Sequence, residues 1–326
     1  MKAVVVEQLG GPEVLTLAEW PAPQPEPGQL LVQVAAAGVN FMDVYQRQGL
    51  GSYRTDTPFV PGAEGAGTVV AVGDPGDADG TGPAVGDLVA WAGVGRSYAA
   101  QAVVPADRAV RVPPGVDARV AAAVMLQGLT AHYLCTSTYA VRPGDVAVVH
   151  AAAGGVGLLL TQMIKRLGGV VIGTTSGGAK GDLAREAGAD HVTGYAGFRS
   201  VVADVTGGQG AHVVYDGVGK DTFDDSLAAL RPRGTMVLLG ASSGPVPPFD
   251  PQRLNSGGSL YLTRPTLAHY IADRAELERR AAEVLGWVAD GGLSVRIGGT
   301  YPLADAARAH EDLTGRRTTG KLLLIP

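Results

Sequence analysis

The sequence predicts an α/β protein of two domains, an antiparallel, barrel-like domain split around a doubly wound parallel-sheet domain. Three observations carry this. The first third is a series of short β-branched or alternating runs with no long helical pattern between most of them. The middle alternates strand runs with helical runs, the signature of βαβ units. The last stretch drops that rhythm and closes on one more strand. At 326 residues the chain is too long for one compact domain and suits two.

The strand signals of the first third are "KAVVVEQ", "LLVQVAAAG", "GTVVAVG", "GDLVAWA" and "YAAQAVVP", separated by Gly, Pro and Asp. Proline-rich "WPAPQPEPGQ" reads as a surface connection. The texture changes near Ala118, where "ARVAAAVMLQGLTAHYLC" is alanine-rich with helical spacing. Then "VAVVHA" reads as strand, "VGLLLTQMIKRLG" as helix, "VVIGTT" as strand and "KGDLAREAG" as helix. "HVVYDG" follows as strand, "FDDSLAALRPRG" as helix, and "TMVLLGA" and "SLYLTRP" as strands. After Pro265 come the charged helix "ADRAELERRAAEVLGWVADG", then "YPLADAARAHEDL" and the final strand "GKLLLIP". This tail is assigned back to the first domain. The expected domains are 1–122 with 264–326, and an inserted 123–263.

Composition narrows the function classes. Apolar residues make up 46% and charged residues 17%, which supplies a sizeable core and argues against disorder. A formal charge of -5 gives no electrostatic reason to expect nucleic acid or an anionic membrane as partner. No segment approaches the run of about eighteen apolar residues that a membrane helix needs. The single cysteine, Cys135, excludes an intrachain disulfide and any site built from several thiolates. "MKAVVVEQ" reads as a strand and lacks the apolar core of a signal peptide. The expectation is a soluble, cytoplasmic protein.

The most informative stretch is "DVAVVHAAAGGVGLLLTQMIKRLGG", Asp145 to Gly169. A strand, a glycine turn and a helix form the phosphate-binding unit of dinucleotide folds, whose usual fingerprint is G-x-G-x-x-G. Here those positions are Ala152, Gly154 and Gly157, so the first glycine is an alanine. Gly154 lets a pyrophosphate approach the backbone, and Gly157 lets the helix pack closely on the strand. Gly155 and Val156 open the helix, whose free N–H groups and positive dipole end face the phosphates. A tight turn that binds nothing has the same glycines; placement after a strand, within a run of βαβ units, favours a cofactor.

What is absent selects the cofactor. Proteins that prefer NAD place an Asp or Glu about twenty residues beyond the first glycine, on the ribose 2′-hydroxyl. Here "GTTSGGAKG", Gly173 to Gly181, holds no acid before Asp182. Ser176 can hydrogen-bond a 2′-phosphate and Lys180 can neutralise it, which points to NADPH; the alternative is that Lys180 is a solvated loop lysine.

The whole chain resembles the quinone oxidoreductase, zeta-crystallin-like branch of the medium-chain dehydrogenase/reductase family. The resemblance rests on "GVNFMDVYQRQGL", "PFVPGAEGAGTVVAVG", "QGLTAHYL", "HAAAGGVGLLLTQMIKRLG", "YDGVGKDTF", "GSLYLTRPTL" and "YPLADAARAHEDL", spread from end to end in the family's order. It implies a GroES-like catalytic domain split around a Rossmann domain. It also implies that no zinc is bound. Zinc alcohol dehydrogenases have "GVCxxD" and "GHE" where this chain has "GVNFMD" and "GAE", so Asn40 and Ala63 replace two ligands. A quinone, enone or enoyl thioester is already electrophilic, so hydride transfer to it needs positioning and a few hydrogen-bond donors rather than a Lewis acid.

By resemblance, Asn40 holds the nicotinamide or the acceptor oxygen, Tyr45 shapes the pocket, and Asp43 has either a catalytic or a structural hydrogen-bonding role. Arg264 of "LTRP" matches an arginine near the cofactor, and Thr130 a cofactor-contacting threonine. Tyr195 and Arg316 match positions at the 2′-phosphate end. Val218, Leu239, Gly240 and Ser242 match strand ends facing the cofactor. The histidines show no metal-like spacing, and His150 reads as a packed neighbour of the turn. The expected activity is transfer of reducing equivalents from NADPH to a quinone. The alternatives are an enoyl reductase acting on an α,β-unsaturated ketone or thioester, or a non-catalytic NADPH-binding protein. By the same resemblance the chain dimerises through the edge of its Rossmann sheet.

Overall fold

The computed structural model describes residues 1–73 and 82–326. The chain forms two compact units, Met1–Leu129 with Ile271–Pro326, and Thr130–Tyr270.

In the first unit, β1 (Lys2–Val6) pairs antiparallel with β2 (Leu15–Glu19). The long strand β3 (Gln29–Val39) leads directly into helix α1 (Phe41–Gln48). β4 (Glu64–Val72), β5 (Leu88–Ala92), β6 (Gln101–Pro105) and β7 (Val110–Arg111) follow, all pairing antiparallel. Helix α2 (Ala118–Tyr133) leaves this unit. The strand run was legible because Val, Thr and aromatic residues pack well on a pleated, half-buried surface. Val4, Val6, Val32, Val34, Val89, Trp91 and Tyr98 fill the core.

The second unit alternates strand and helix: β8 (Val146–Val149), α3 (Gly155–Arg166), β9 (Val170–Thr174), α4 (Ala179–Glu186), β10 (His191–Thr193), α5 (Phe198–Thr206), β11 (Ala211–Asp216), α6 (Phe223–Ala228), β12 (Leu230–Leu238), α7 (Gln252–Ser256), β13 (Tyr261–Thr263) and α8 (Leu267–Tyr270). The six strands lie in the order β10-β9-β8-β11-β12-β13, every pair parallel. The chain builds outward from β8 to β10, then returns to start at β11 beside β8. That reversal is a topological switch point, and in such sheets ligands bind at the carboxyl ends of the strands.

The tail returns to the first unit with α9 (Arg274–Ala289), β14 (Ile297–Pro302), α10 (Ala306–Thr314) and β15 (Lys321–Ile325). β15 pairs antiparallel with β3, Leu322 opposite Val39, and adds Leu322 and Leu324 to the core.

Three details differ from the sequence expectation. The unit boundaries at Thr130 and Ile271 lie seven residues beyond 123 and 264. The start of α2 belongs to the first unit, where Leu126 N–H donates to Glu64 Oε1 at 2.7 Å. Tyr270 stacks on Tyr133 in the second, with centroids 4.1 Å apart. Next, "FDDSLAALRPRG" is not all helix. α6 ends at Ala228, and Leu230 already pairs with Ala211 in β12. Pro232 cannot continue the helix and Arg233 turns left-handed, φ 62°. Last, "HVTGYAGFRSVVADVT" folds as β10 and α5, which the periodicity reading passed over. α5 buries only Phe198 and Val202, a narrow stripe among polar and glycine residues.

Candidate functional site

The turn after β8 has the geometry of a phosphate site. Ala151 takes the left-handed conformation, φ 51°, and Gly154 caps α3 from extended backbone, φ −76° and ψ 168°. The two fingerprint glycines do different work. A Cβ on Gly157 would lie 2.4 Å from Ala151 O and 2.8 Å from Ala152 Cα, so only glycine lets α3 sit on the turn. A Cβ on Gly154 would meet only Ala151 O, at 3.1 Å; the space above it is open. Gly154, Gly155 and Val156 are half-buried, and the first N–H groups of a helix have no acceptor within it. Ala152 replaces the first glycine, and its methyl is buried against Gly173.

The ends of the neighbouring strands carry the other cofactor candidates. After β9, Thr175 is buried and its Oγ1 accepts the Gly177 N–H at 3.1 Å; Ser176 beside it is exposed. Lys180 is half-buried in the first turn of α4. A cation at this positive end of the dipole does not help the helix, so its placement suits an external anion. Asp182, the nearest acid, is paired with Arg185 at 2.9 Å. Tyr195 follows β10 and is half-buried, its ring 6.0 Å from that of His150.

On the other side of the switch point, the loops after β11 and β12 are laced together. Leu239 N–H donates to Asp216 O at 2.8 Å and Ser242 N–H to Gly217 O at 3.2 Å. A Cβ on Gly240 would meet Gly217 O at 2.7 Å, so this approach requires glycine. Val218 is buried and Ser243 Oγ donates to its carbonyl at 2.8 Å. Arg264, just past β13, donates to Leu238 O at 3.0 Å. Thr130 opens the second unit as a half-buried residue of α2.

Sequence reasoning missed the group behind these loops. Asp216 Oδ1 accepts the N–H groups of Val218 and Gly219 at 2.8 and 2.9 Å. Its Oδ2 accepts the hydroxyls of Thr222 and Ser226 at 2.7 and 2.9 Å. His150 bridges Ser226 Oγ, 2.9 Å from Nε2, and Thr174 Oγ1, 2.8 Å from Nδ1. Burial pushes the His150 pKa down to about 4, outweighing the attraction of the Asp216 charge. An Asp before Gly-Val-Gly at a strand end signals an Asx-type turn and was readable; the link to His150 was not.

In the first unit, the candidates on α1 sit in a second buried network. Asn40, 5% exposed, donates from Nδ2 to Glu64 Oε2 at 3.0 Å and to Gly38 O at 3.3 Å, and its Oδ1 accepts from Lys321 Nζ at 2.7 Å. Lys321 and Glu64 form an ion pair with both side chains out of solvent. Asp43 is 1% exposed; its Oδ2 accepts from Asn40 N–H at 2.8 Å and from Tyr98 OH at 3.0 Å. Tyr98 OH in turn lies 3.1 Å from His310 Nε2. Burial pushes the Asp43 carboxyl up to about 7, against the pull of Asn40 N–H, Lys321 and Tyr98. Burial pushes His310 down to about 3. Tyr45 is half-buried between Phe41 and Tyr53, centroids 6.3 and 5.5 Å away. Arg316 is exposed in this unit, left-handed at φ 55°, and so is not in the same unit as Ser176, Lys180 and Tyr195.

Comparison with known proteins extends over the whole chain. The zinc-binding dehydrogenase family model matches residues 155–290, and that of the alcohol dehydrogenase GroES-like domain residues 26–143. The quinone oxidoreductase of Pseudomonas aeruginosa is 42% identical over 331 residues, covering 100% of this chain and 99% of that protein. The chain belongs to the quinone oxidoreductase branch of the medium-chain dehydrogenase/reductase family. A mycobacterial member solved in complex with NADPH is 49% identical, with a TM-score of 0.96 and complete coverage of both chains. The 2-haloacrylate reductase of a Burkholderia species is 38% identical, covering 99% of this chain and 98% of that protein. The two units are accordingly the family's GroES-like and Rossmann domains.

Within this family the zinc-binding name does not fit this chain's residues. The Asn40 amide carries no thiolate, and the adjacent buried ammonium of Lys321 already neutralises Glu64. Ala63 offers no donor, and the described residues contain no group of three His, Cys, Asp or Glu able to hold a metal.

Proposed function

We propose that the chain is a zinc-independent NADPH:quinone oxidoreductase. The observation that carries the reading is the turn at Gly154. Open space above one glycine meets the free N–H end of α3, beside a strand end that offers Ser176 and Lys180 and no unpaired carboxylate. When bound, NADPH supplies a hydride. Gly154, Gly155, Val156 and Gly157 receive the pyrophosphate; Ser176 and Lys180, with Tyr195 and Arg316 as further candidates, receive the 2′-phosphate. Thr130, Val218, Leu239, Gly240, Ser242 and Arg264 are the remaining cofactor candidates. Asn40, held by Glu64, Gly38 and Lys321, acts as a fixed dipole and Asp43 orients it through the Asn40 N–H, while Tyr45 offers aromatic surface to a planar acceptor. A quinone spreads incoming charge over its ring, which makes a Lewis acid dispensable.

A second reading, reduction of an activated C=C bond, is favoured by the full-length likeness to a 2-haloacrylate reductase. The reading also includes a cytoplasmic homodimer. β13 is one of the two edge strands of the Rossmann sheet and carries Tyr261, 60% exposed.

The test is NADPH consumption by metal-stripped protein that sediments as a dimer, with and without a simple para-quinone. Turnover that depends on the quinone and is indifferent to chelator is expected. Absence of quinone-dependent turnover would overturn the reading, and faster turnover of a haloacrylate would replace it by the second.

A further inference from the structure

The buried group behind the cofactor loops has a defined proton arrangement. Asp216 Oδ2 accepts the Ser226 hydroxyl proton, so Ser226 Oγ has only lone pairs left for His150. His150 Nε2 must therefore carry a hydrogen, and Nδ1 accepts the hydroxyl proton of Thr174. The opposite tautomer would turn the Ser226 proton away from Asp216 and set lone pairs against the carboxylate. Burial, which holds the imidazole neutral, agrees with this single state.

The four residues come from four elements. Thr174 ends β9, His150 directly follows β8, Asp216 ends β11 and Ser226 lies in α6. Three of them lead into loops that hold cofactor candidates, and Ser226 joins two of these three, His150 and Asp216. His150 adjoins the turn at 151–154, Thr174 lies two residues before Ser176, and Asp216 folds the loop that carries Val218. The chain of bonds runs across the switch point of the sheet, where strand packing alone does not fix the height of one loop relative to the next.

We infer that His150, Ser226, Asp216 and Thr174 are positioning residues that set the spacing of the β8, β9 and β11 ends across which the dinucleotide lies. The inference rests on the NADPH reading of these loops. The atoms named have partners throughout, so removal of the Ser226 hydroxyl leaves the buried His150 Nε2–H without an acceptor and Asp216 with one donor fewer. His150 relieves that loss only by moving, and it carries the phosphate turn with it.

The experiment compares binding of NADPH with binding of adenosine 2′-monophosphate, a fragment that carries the 2′-phosphate but no pyrophosphate to place on the turn at 151–154. In Ser226→Ala, NADPH affinity is expected to fall about five- to tenfold and fragment affinity by less than about twofold. Equal loss of both ligands, or loss of neither, would overturn the inference while leaving the NADPH reading in place. If the unaltered protein fails to bind NADPH, the functional reading fails and this one with it. A second measurement needs no variant. Nitrogen-15 shifts of the His150 ring should report hydrogen on Nε2 and none on Nδ1; the reverse tautomer would refute the network as drawn.

Discussion

At the scale of single residues, the strongest statement concerns Lys180. A lysine in the first turn of α4 opposes the helix dipole, so it carries a small local penalty that an external anion would reverse. The neighbouring Ser176 is exposed, and the Asp182 carboxylate is paired with Arg185 at 2.9 Å. Lys180→Ala should therefore weaken NADPH binding by about 1.5–3 kcal/mol, less at high salt, and leave NADH binding nearly unchanged. Titration of both cofactors by quenching of protein fluorescence checks this. Equal weakening of the two would remove the 2′-phosphate from Lys180's surroundings.

At the scale of elements, the β8–turn–α3 unit separates two jobs that the sequence fingerprint merges. Gly157 is a packing glycine and Gly154 a ligand glycine, because only the former's missing Cβ faces backbone on more than one atom. Gly157→Ala should shift the thermal midpoint down, overpacking of this kind being worth about 1–3 kcal/mol. Gly154→Val, with one contact at 3.1 Å to relieve, should lower the midpoint less than Gly157→Ala and abolish binding of NADPH and NADH alike. Thermal melts with and without cofactor distinguish the pair, and a Gly154→Val protein that still binds would refute the phosphate turn. This unit was readable because its information is local: a strand, a turn and a helix within one short stretch. The β12 start at Leu230 was not, since Pro232 and Arg233 look like a helix end while pairing with β11 decides the matter. The His150 network was less readable still, with its two ends 76 residues apart at Ser226 and His150. The Asn40–Lys321 bond joins residues 281 apart, and no periodicity reports such a contact.

At the scale of the whole molecule, the two domains carry different buried titratable groups and should answer acid differently. In the Rossmann domain His150 is pushed down to about 4 by burial, and burial also lowers His212 despite Asp145 beside it. The unfolded chain protonates both near the ordinary 6.5; below that pH it takes up protons that folded His212 resists and that folded His150 refuses until about pH 4, so stability falls as the pH falls. In the GroES-like domain His310, lowered to about 3, acts in the same direction. Asp43 acts in the other. Its folded pKa of about 7 lies above the ordinary 3.8, so through that window the folded domain binds a proton the unfolded chain does not. One His and one Asp nearly cancel there, whereas nothing offsets His150. Limited proteolysis at pH 7 and at pH 5 should thus show new cleavage at pH 5 that begins within 130–270. Asp43→Asn removes the compensating group, and at pH 5 it should bring cleavage of the GroES-like domain forward as well. First cuts outside 130–270 at pH 5 in the unaltered protein would mean that these buried groups do not set its acid limit.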